Sequence, residues 1–277
     1  NGIKKNAKEG SQFGTLASKN ATLEELYLLQ KFTRGLGSDN LDYRLDTSNP
    51  CNAKVLESNI SLTELETIDH ALIVNSYLRL EQPMINHRIR KATLNGASVS
   101  TINAKAFDFN YRISHSVLTS PQNTVATLSG VLKALLDKSA KNLPDYLNSV
   151  TVDETHTDIA NALLNAKNPV VVLGEHVNGN ICSDQVAKLV SEIAKASDAK
   201  TLNASLTGNT HSAERVNFKP DNGKNALQIL SSDLTAFALF DVYPNFDCID
   251  SENAIKHLSR DDAFVVAMNS FDDESVL

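Results

Sequence analysis

Short apolar runs alternate with longer amphipathic segments along the chain. Runs such as Val170 to Leu173 have the length of a strand and lack the alternation that a half-exposed strand shows. The longer segments carry apolar residues at helical spacing, as between residues 123 and 138. Apolar strands separated by amphipathic helices predict parallel sheets that are covered on both faces. We therefore expect an α/β fold of two Rossmann-like lobes with mainly parallel sheets.

The positions of individual elements follow from this pattern and from helix end signals. Thr22 precedes two glutamates and predicts a helix start, and Pro83 is suited to the first turn of another helix. Predicted helices cover residues 23–35, 62–66, 83–94, 123–138, 158–166, 183–196 and 252–258. Predicted strands cover residues 40–44, 71–74, 99–102, 113–118, 170–173, 201–204, 237–240 and 264–268. Residues 205–225 are rich in Asn, Gly, Thr and Ser and predict a long loop with a functional or interaction role.

A polar stretch at residues 140–152 is the predicted boundary between the lobes. We assign residues 1–148, with the N-terminal segment, to the first lobe and residues 149–277 to the second. The sequence starts at Asn1 and stops soon after the acidic helix start at residues 272–275. We therefore expect an excised piece of a longer protein whose second lobe is truncated at its C-terminus.

Charge and composition exclude several classes of protein. The net charge of -7 argues against a nucleic-acid partner. No apolar run reaches the roughly 18 residues that a membrane span needs, so we expect no membrane insertion. Cys51, Cys182 and Cys248 are far apart and form no Cys-x-x-Cys pair, which gives no iron–sulfur or zinc signature. Scattered thiols of this kind fit a reducing compartment.

Two turns that follow predicted strands are the candidate binding positions. In such folds ligands bind at the carboxyl ends of strands, where glycine lets the backbone approach a phosphate. The first turn instead carries Asn75, Ser76 and Tyr77, and the second carries Asp241 and Tyr243. A carboxylate at Asp241 would also repel a phosphate. Both turns are therefore expected to be structural.

Other candidate chemistry is weak. Gly174 ends a predicted strand before Glu175 and His176, and a lone histidine there is more often packed or solvated than catalytic. The seven histidines show no metal-binding spacing, and neither a nucleophile elbow nor a phosphate loop occurs. A basic cluster at residues 87–91 is interpreted as a solvated or interface-facing helix surface. We predict no catalytic residue and no metal ligand.

Three segments carry a resemblance to a known family. Residues 21–45 (ATLEELYLLQKFTRGLGSDNLDYRL) and residues 78–85 (LRLEQPMI) resemble the large iron–sulfur subunit of bacterial respiratory NADH–quinone oxidoreductase (complex I). Residues 243–247 (YPNFD) resemble a turn shared more widely among molybdopterin enzymes. The resemblance implies the molybdopterin-oxidoreductase domain of that subunit, with a fold like that of formate dehydrogenase.

Departures from the family pattern bear on the cofactor. Related enzymes place a cysteine, selenocysteine or serine ligand for molybdenum where this chain has Arg44, Leu45 and Asp46, and Cys51 is out of position. The glycines that contact the pyranopterin are replaced by Asn75 and Asp241. The resemblance thus implies a version without cofactor and without catalysis. Its vestigial pocket positions would be Asn75, Ser76, Tyr77, Gly174, Asp241 and Tyr243.

The resemblance also implies the setting in which this chain acts. Iron–sulfur clusters are expected upstream in the full-length subunit, which carries electrons from NADH toward quinone. The domain would be architectural, with other peripheral-arm subunits as partners, at the cytoplasmic face of the bacterial inner membrane. Two alternatives stay open: an active molybdopterin-dependent oxidoreductase domain, and a binding module for a dinucleotide or thiamine diphosphate.

Overall fold

The computed structural model describes residues 2–6, 12–46, 56–174 and 183–272. It divides into two compact units, one formed by residues 53–206 and the other by residues 1–52 together with 207–277. We call the continuous one unit 2 and the discontinuous one unit 1. Each unit is built on its own sheet, and every pair of neighbouring strands is parallel. The predicted α/β class with parallel sheets is therefore confirmed.

Unit 2 contains a five-stranded sheet with the strand order β5-β4-β3-β6-β7. Its strands are β3 (His70–Val74), β4 (Ser98–Asn103), β5 (His115–Leu118), β6 (Pro169–Gly174) and β7 (Lys200–Ala204). Its helices are α3 (Leu78–Glu81), α4 (Pro83–Leu94), α5 (Thr124–Lys138), α6 (Glu154–Asn165) and α7 (Ser183–Ser197). The order reverses between β3 and β6, which makes this the topological switch point of a doubly wound sheet.

Both faces of the unit 2 sheet are covered. Leu72 and Val74 point to a core shared with α5, α6 and α7. Ala71 and Ile73, which alternate with them along β3, point to a second core on the α4 side. All five residues of β3 are buried. Because strand side chains alternate between faces, a strand covered on both faces is apolar throughout, as the sequence pattern predicts.

Unit 1 contains a four-stranded sheet with the order β2-β1-β8-β9. Its strands are β1 (Phe13–Ala17), β2 (Leu41–Asp42), β8 (Ala236–Phe240) and β9 (Phe264–Met268). Its helices are α1 (Gly2–Asn6), α2 (Leu23–Gly35), α8 (Thr210–Arg215), α9 (Ala226–Ile229), α10 (Pro244–Asp247) and α11 (Ser251–Leu258). β1, from the start of the chain, pairs along its whole length with β8 near the end.

The units differ from the lobes that we assigned at residues 148 and 149. β6 and β7 lie beyond that boundary, yet they extend the sheet that β3 begins. The N-terminal segment, which we assigned to the first lobe, pairs with β8 instead. The polar stretch at 140–152 is a surface connection between α5 and α6 within unit 2, not a link between domains.

Most predicted elements are present, with shifts of a few residues at their ends. The predicted capping box is found: the Thr22 hydroxyl accepts from the Glu25 amide, and the Glu25 carboxylate accepts from the Thr22 amide. α6 begins at Glu154 rather than 158, because Asp153 caps it. The loop predicted over 205–225 contains α8. The prediction also missed β1 and the short helices α1, α3, α9 and α10.

Candidate functional site

The turns after β3 and β8 begin with a left-handed residue. Asn75 has a φ of 52° and Asp241 a φ of 50°. Glycine adopts this backbone most readily, and Asn and Asp are the side chains that tolerate it best. Both positions therefore have a backbone that favours glycine, and the chain adopts this backbone with an asparagine and an aspartate.

Three successive amides of the turn after β3 already have acceptors. The Asn75 amide donates to the Ile102 carbonyl at 2.9 Å. The Ser76 amide donates to Asn103 Oδ1 at 2.9 Å, and the Tyr77 amide donates to Glu81 Oε1 at 3.1 Å. A phosphate at a strand-to-helix turn is normally bound by such amides. In this turn, acceptor groups of the protein itself occupy the amides instead of a phosphate.

The turn after β8 is built in the same way. The Asp241 amide donates to the Met268 carbonyl at 3.0 Å. The Val242 amide donates to Asn269 Oδ1 at 3.2 Å, and the Tyr243 amide donates to Asp247 Oδ2 at 2.7 Å. In both turns the asparagine side chain also donates through Nδ2 to the carbonyl of the residue whose amide it accepts. Each asparagine thus clamps one residue of the turn through both its amide and its carbonyl.

Sequence spacing repeats along with the geometry. Asn103 follows Ser76 by 27 residues, and Asn269 follows Val242 by the same 27 residues. In each copy a tyrosine stands two positions after the left-handed residue, and a carboxylate follows that tyrosine four positions later. The sequence pattern indicates the two turns as parallel cases but does not indicate the clamping asparagines. The shared spacing is the signal that would have found them.

Gly174 lies at the end of β6, at the switch point of unit 2. A Cβ atom at this position would lie 2.2 Å from the Asn75 carbonyl oxygen and 2.4 Å from Ser76 Cβ. Glycine is therefore required for the end of β6 to approach the turn after β3. In a doubly wound sheet the ligand crevice opens at this point, and here the Gly174 backbone lies directly against the Asn75 backbone. Glu175 and His176 lie outside the described residues.

The two tyrosines serve packing and hydrogen bonding within their own units. The Tyr77 ring stacks on Phe107 with centroids 4.6 Å apart and meets Phe109 edge-on at 5.8 Å. The Tyr243 hydroxyl accepts from the Phe271 amide at 3.0 Å. Both tyrosine side chains therefore make contacts within their own unit.

The charged residues of the first turn are paired locally as well. Arg79 pairs with Asp108 at 2.5 Å. Glu81 accepts from the Ser76 hydroxyl and from the Tyr77 amide, so its carboxylate is bonded within its own turn. The turn after β3 thus satisfies its charges without a ligand.

Carboxylates concentrate around the turn after β8. Burial raises the pKa of Asp247, and the negative charges of Asp241 and Asp46 raise it further, against the lowering effect of the Tyr243 amide. Asp46 pairs with Lys19 at 2.5 Å. Such a surrounding disfavours an additional negative charge, including a phosphate.

The segment where related enzymes bind molybdenum is held by a buried ion pair. Arg44 donates to both carboxylate oxygens of Asp42, at 2.8 and 3.0 Å. Asp42 is fully buried and also accepts from the amides of Tyr43, Arg44 and Ala226. Its oxygens are therefore occupied by the protein itself. Cys51 and Cys182 lie outside the described residues, and within those residues no group of three His, Cys, Asp or Glu side chains is placed to hold a metal ion.

The fold agrees with a comparison of the sequence with known families. The sequence model of the molybdopterin oxidoreductase family matches residues 1–277. The chain therefore belongs to the molybdopterin oxidoreductase family.

Within this family the chain is similar to a subunit of a respiratory enzyme. It is 27% identical over 280 residues to the mitochondrial NADH dehydrogenase [ubiquinone] iron-sulfur protein 1 of Solanum tuberosum, covering 94% of this chain. It is 26% identical over 147 residues to the NADH-ubiquinone oxidoreductase 75 kDa subunit of Reclinomonas americana, covering 53% of this chain. The matched parts are 31% and 17% of those relatives' lengths. The predicted resemblance to the complex I subunit is thus confirmed.

A solved structure shares the fold at low sequence identity. The formyltransferase/hydrolase complex FhcABCD of Methylorubrum extorquens, solved with methylofuran, aligns with a TM-score of 0.50 and 11% identity. The alignment covers 86% of this chain and 71% of that chain. At this identity the likeness concerns the fold alone. No helix among the described residues combines the length and the apolar character that crossing a membrane requires.

Proposed function

We propose that this chain is a structural domain of the iron–sulfur subunit of respiratory NADH–quinone oxidoreductase and carries neither a molybdopterin cofactor nor an iron–sulfur cluster. The observation that carries this proposal is the saturation of both strand-end turns. Six backbone amides of these turns donate to carbonyl, amide and carboxylate oxygens of the same unit, so none of the six is free to bind a phosphate.

A pyranopterin dinucleotide does not fit these turns. Its phosphates need free amides, or cations, at the strand ends. Glu81 and Asp247 already accept hydrogen bonds from the Tyr77 and Tyr243 amides. Each of them also places a carboxylate at its turn. Binding would require the loss of these bonds and the burial of like charges, both of which cost free energy. In unit 2 the Gly174 backbone also lies directly against the Asn75 backbone at the switch point, which leaves no room for a side chain at residue 174.

The chemistry of Cys248 supports the absence of a cluster in the described residues. A cluster is held by several cysteine thiolates, and Cys248 is the one cysteine among the described residues. Burial, and then the charges of Asp247 and Asp250, raise the pKa of Cys248 to about 12. Cys248 therefore stays a neutral thiol at physiological pH and packs against the core of unit 1.

The wider role follows from the relatives that the chain matches in part. We propose that the full-length subunit carries electrons between NADH and quinone through iron–sulfur clusters that lie outside this chain. The domain would pack against other peripheral-arm subunits, on the side of the membrane where NADH is oxidised. In a bacterium this is the cytoplasmic face of the inner membrane.

Metal and pterin analysis tests the cofactor part of the proposal. The 277-residue chain would be produced in a host that makes molybdenum cofactor and analysed by mass spectrometry for molybdenum and by fluorescence for oxidised pterin. We expect neither above background. An Asn75→Gly/Asp241→Gly variant is the matched control. It restores glycine but leaves the amides bonded, so it is also expected to stay empty.

Stoichiometric molybdenum with pterin in the natural chain would contradict the proposal and favour an active molybdopterin domain. Calorimetric binding of NAD⁺ or thiamine diphosphate would favour a binding module instead. Cofactor uptake by the glycine variant alone would show that the missing glycines, rather than the bonded amides, exclude the cofactor. Co-purification of the full-length subunit with the other peripheral-arm subunits tests the architectural part.

A further inference from the structure

A polar groove runs along α4 in unit 2, and one end of it reaches Arg79 of the turn after β3. It has two adjoining parts, of about 500 and 390 Å³, which share Arg90 and Asn110. The first part reaches Arg79 at α3, and the second reaches Arg112 in the segment before β5. The twelve residues of α4 give the groove a length of roughly 18 Å at 1.5 Å per residue.

The groove carries an excess of positive charge on an acidic chain. Arg79, Arg90 and Arg112 line it, and Asp108 neutralises Arg79. Arg90 and Arg112 are exposed, and neither has an ion-pair partner among the described residues. The whole chain has a net charge of -7, so the groove is a positively charged surface on a negatively charged chain.

Two polar atoms beside the groove lack hydrogen-bond partners within the described residues. Asn86 lines the first part and is 6% exposed, and its Oδ1 has no partner. Tyr111 lines the second part, and its hydroxyl has none either. An unpaired buried polar group costs free energy. Both atoms are buried, so each can bond to a hydrogen-bonding group of a ligand in the groove once its side chain turns toward it.

We infer that this groove binds an extended acidic segment of a partner protein, with its carboxylates on Arg90 and Arg112 and its backbone or side-chain groups on Asn86 and Tyr111. Arginine pairs with carboxylates in a bidentate manner, which suits oriented docking. About five extended residues span a length of roughly 18 Å at ~3.3 Å each. Enclosed small-molecule sites are mainly apolar, whereas this groove is lined largely by Arg, Asn, His, Ser and Thr. The inference deepens the proposed architectural role and rests on it.

Fluorescence anisotropy of a labelled hexaglutamate peptide with the whole chain tests this site. We expect the peptide to bind, hexaglutamine not to bind, and affinity to fall as salt is added, because exposed charges are screened. An Arg90→Gln/Arg112→Gln variant should bind about tenfold more weakly or worse, since each removed guanidinium takes away a charge-assisted pair. Asn86→Leu should also weaken binding while the melting temperature stays at or above that of the natural chain.

The matched control removes a charge elsewhere in unit 2. Lys138 is exposed at the end of α5, so Lys138→Gln should change the affinity less than twofold. Equal binding of hexaglutamine, full binding by the double arginine variant, or an equal loss in the control would overturn the inference. So would displacement of the peptide by an equal concentration of inorganic phosphate, which would identify a small-anion site. These outcomes are independent of the molybdenum and pterin analysis, so the two proposals can fail separately.

Discussion

Gly174 acts through the space that a side chain would need. A Gly174→Ala variant would place a methyl group against the Asn75 carbonyl and Ser76. Because both neighbours belong to a fixed turn, β6 or the turn must shift. We expect the free energy of unfolding to fall by about 1–3 kcal/mol, the usual cost of overpacking. Urea unfolding measures this difference.

Gly35 provides the matched control for that variant. It ends α2, and among the described residues no atom outside its chain neighbours and its own helix backbone lies within 4 Å of the position that its Cβ would take. Gly35→Ala should therefore leave stability unchanged or raise it by roughly 0.5–1 kcal/mol, because alanine favours the helix. An equal loss in both variants would contradict the role assigned to Gly174.

His70 makes the stability of unit 2 depend on pH. It is 1% exposed, its Nδ1 contacts the Ser98 hydroxyl at 2.7 Å, and its Nε2 has no partner among the described residues. Burial, and then the charge of His115, lower its pKa to about 4, against a smaller opposite effect of Asp69. Folding therefore favours the neutral ring.

The direction of the pH effect follows from this depressed pKa. Between an unfolded pKa of 6.5 and the folded value of about 4, only the unfolded chain binds the proton. The contribution of His70 is complete above pH 6.5 and is lost as the pH falls toward 4, on the order of 3 kcal/mol at most. His70→Asn should reduce the difference between unfolding free energies at pH 7 and pH 4.5. His87→Asn, on the exposed side of α4, should leave it unchanged, and an equal effect of both would contradict the prediction.

At the scale of elements, the asparagine clamps join each strand-end turn to the next strand. Asn103 is 2% exposed, so Asn103→Ala leaves the Ser76 amide unpaired in the interior. We expect a loss of about 1–3 kcal/mol. Asn269 is partly exposed, so water can replace its side chain in Asn269→Ala and the loss should be smaller. Hydrogen exchange of the Ser76 and Val242 amides should accelerate in the respective variants, and unchanged protection would contradict the clamp.

Sequence periodicity predicted the long elements and missed the short ones. α4 and β9 were predicted at their observed bounds, because an apolar stripe and an apolar run are unambiguous over these lengths. β1 was missed because Gly14 interrupts its apolar pattern. That glycine is needed for packing, since a Cβ there would lie 2.9 Å from the side chain of Ile229, which belongs to the distant helix α9. Short helices such as α10 contain too few residues to show a period.

The strand-end turns were located from sequence, but their bonding was not. Asn75 and Asp241 were singled out because they follow apolar strands, and both take the left-handed backbone. The clamping residues Asn103 and Asn269 lie one crossover later, so the contact depends on strand pairing rather than on local sequence. Side-chain contacts of this kind require the register of the sheet.

At the scale of the whole molecule, the division into units predicts which fragments fold. Residues 53–206 contain all five strands of one sheet and both of its cores, so this fragment should unfold cooperatively in thermal circular dichroism. Residues 1–148, the lobe that we assigned from sequence, lack β6 and β7 and should not. Cooperative unfolding of 1–148, or its absence in 53–206, would contradict the observed division.

The sequence could not reveal this division because it depends on two long-range strand pairings, that of β6 with β3 and that of the missed strand β1 with β8. Without β1, the N-terminal segment has no partner and is naturally attached to the lobe that follows it. With β1, its pairing with β8 places the two ends of the chain in one sheet. The difference therefore came from long-range pairing, which periodicity within a short window does not encode.

The pairing of β1 with β8 also sets the order in which the chain can fold on the ribosome. Ala236, the partner of Phe13, is translated only after the whole of unit 2. At about 5–20 residues per second this delay is on the order of tens of seconds. Unit 2 emerges entirely within that interval and can fold, whereas β1 keeps unpaired backbone groups on one side until β8 arrives. Nascent chains should therefore depend on chaperone protection for β1 long after unit 2 is native.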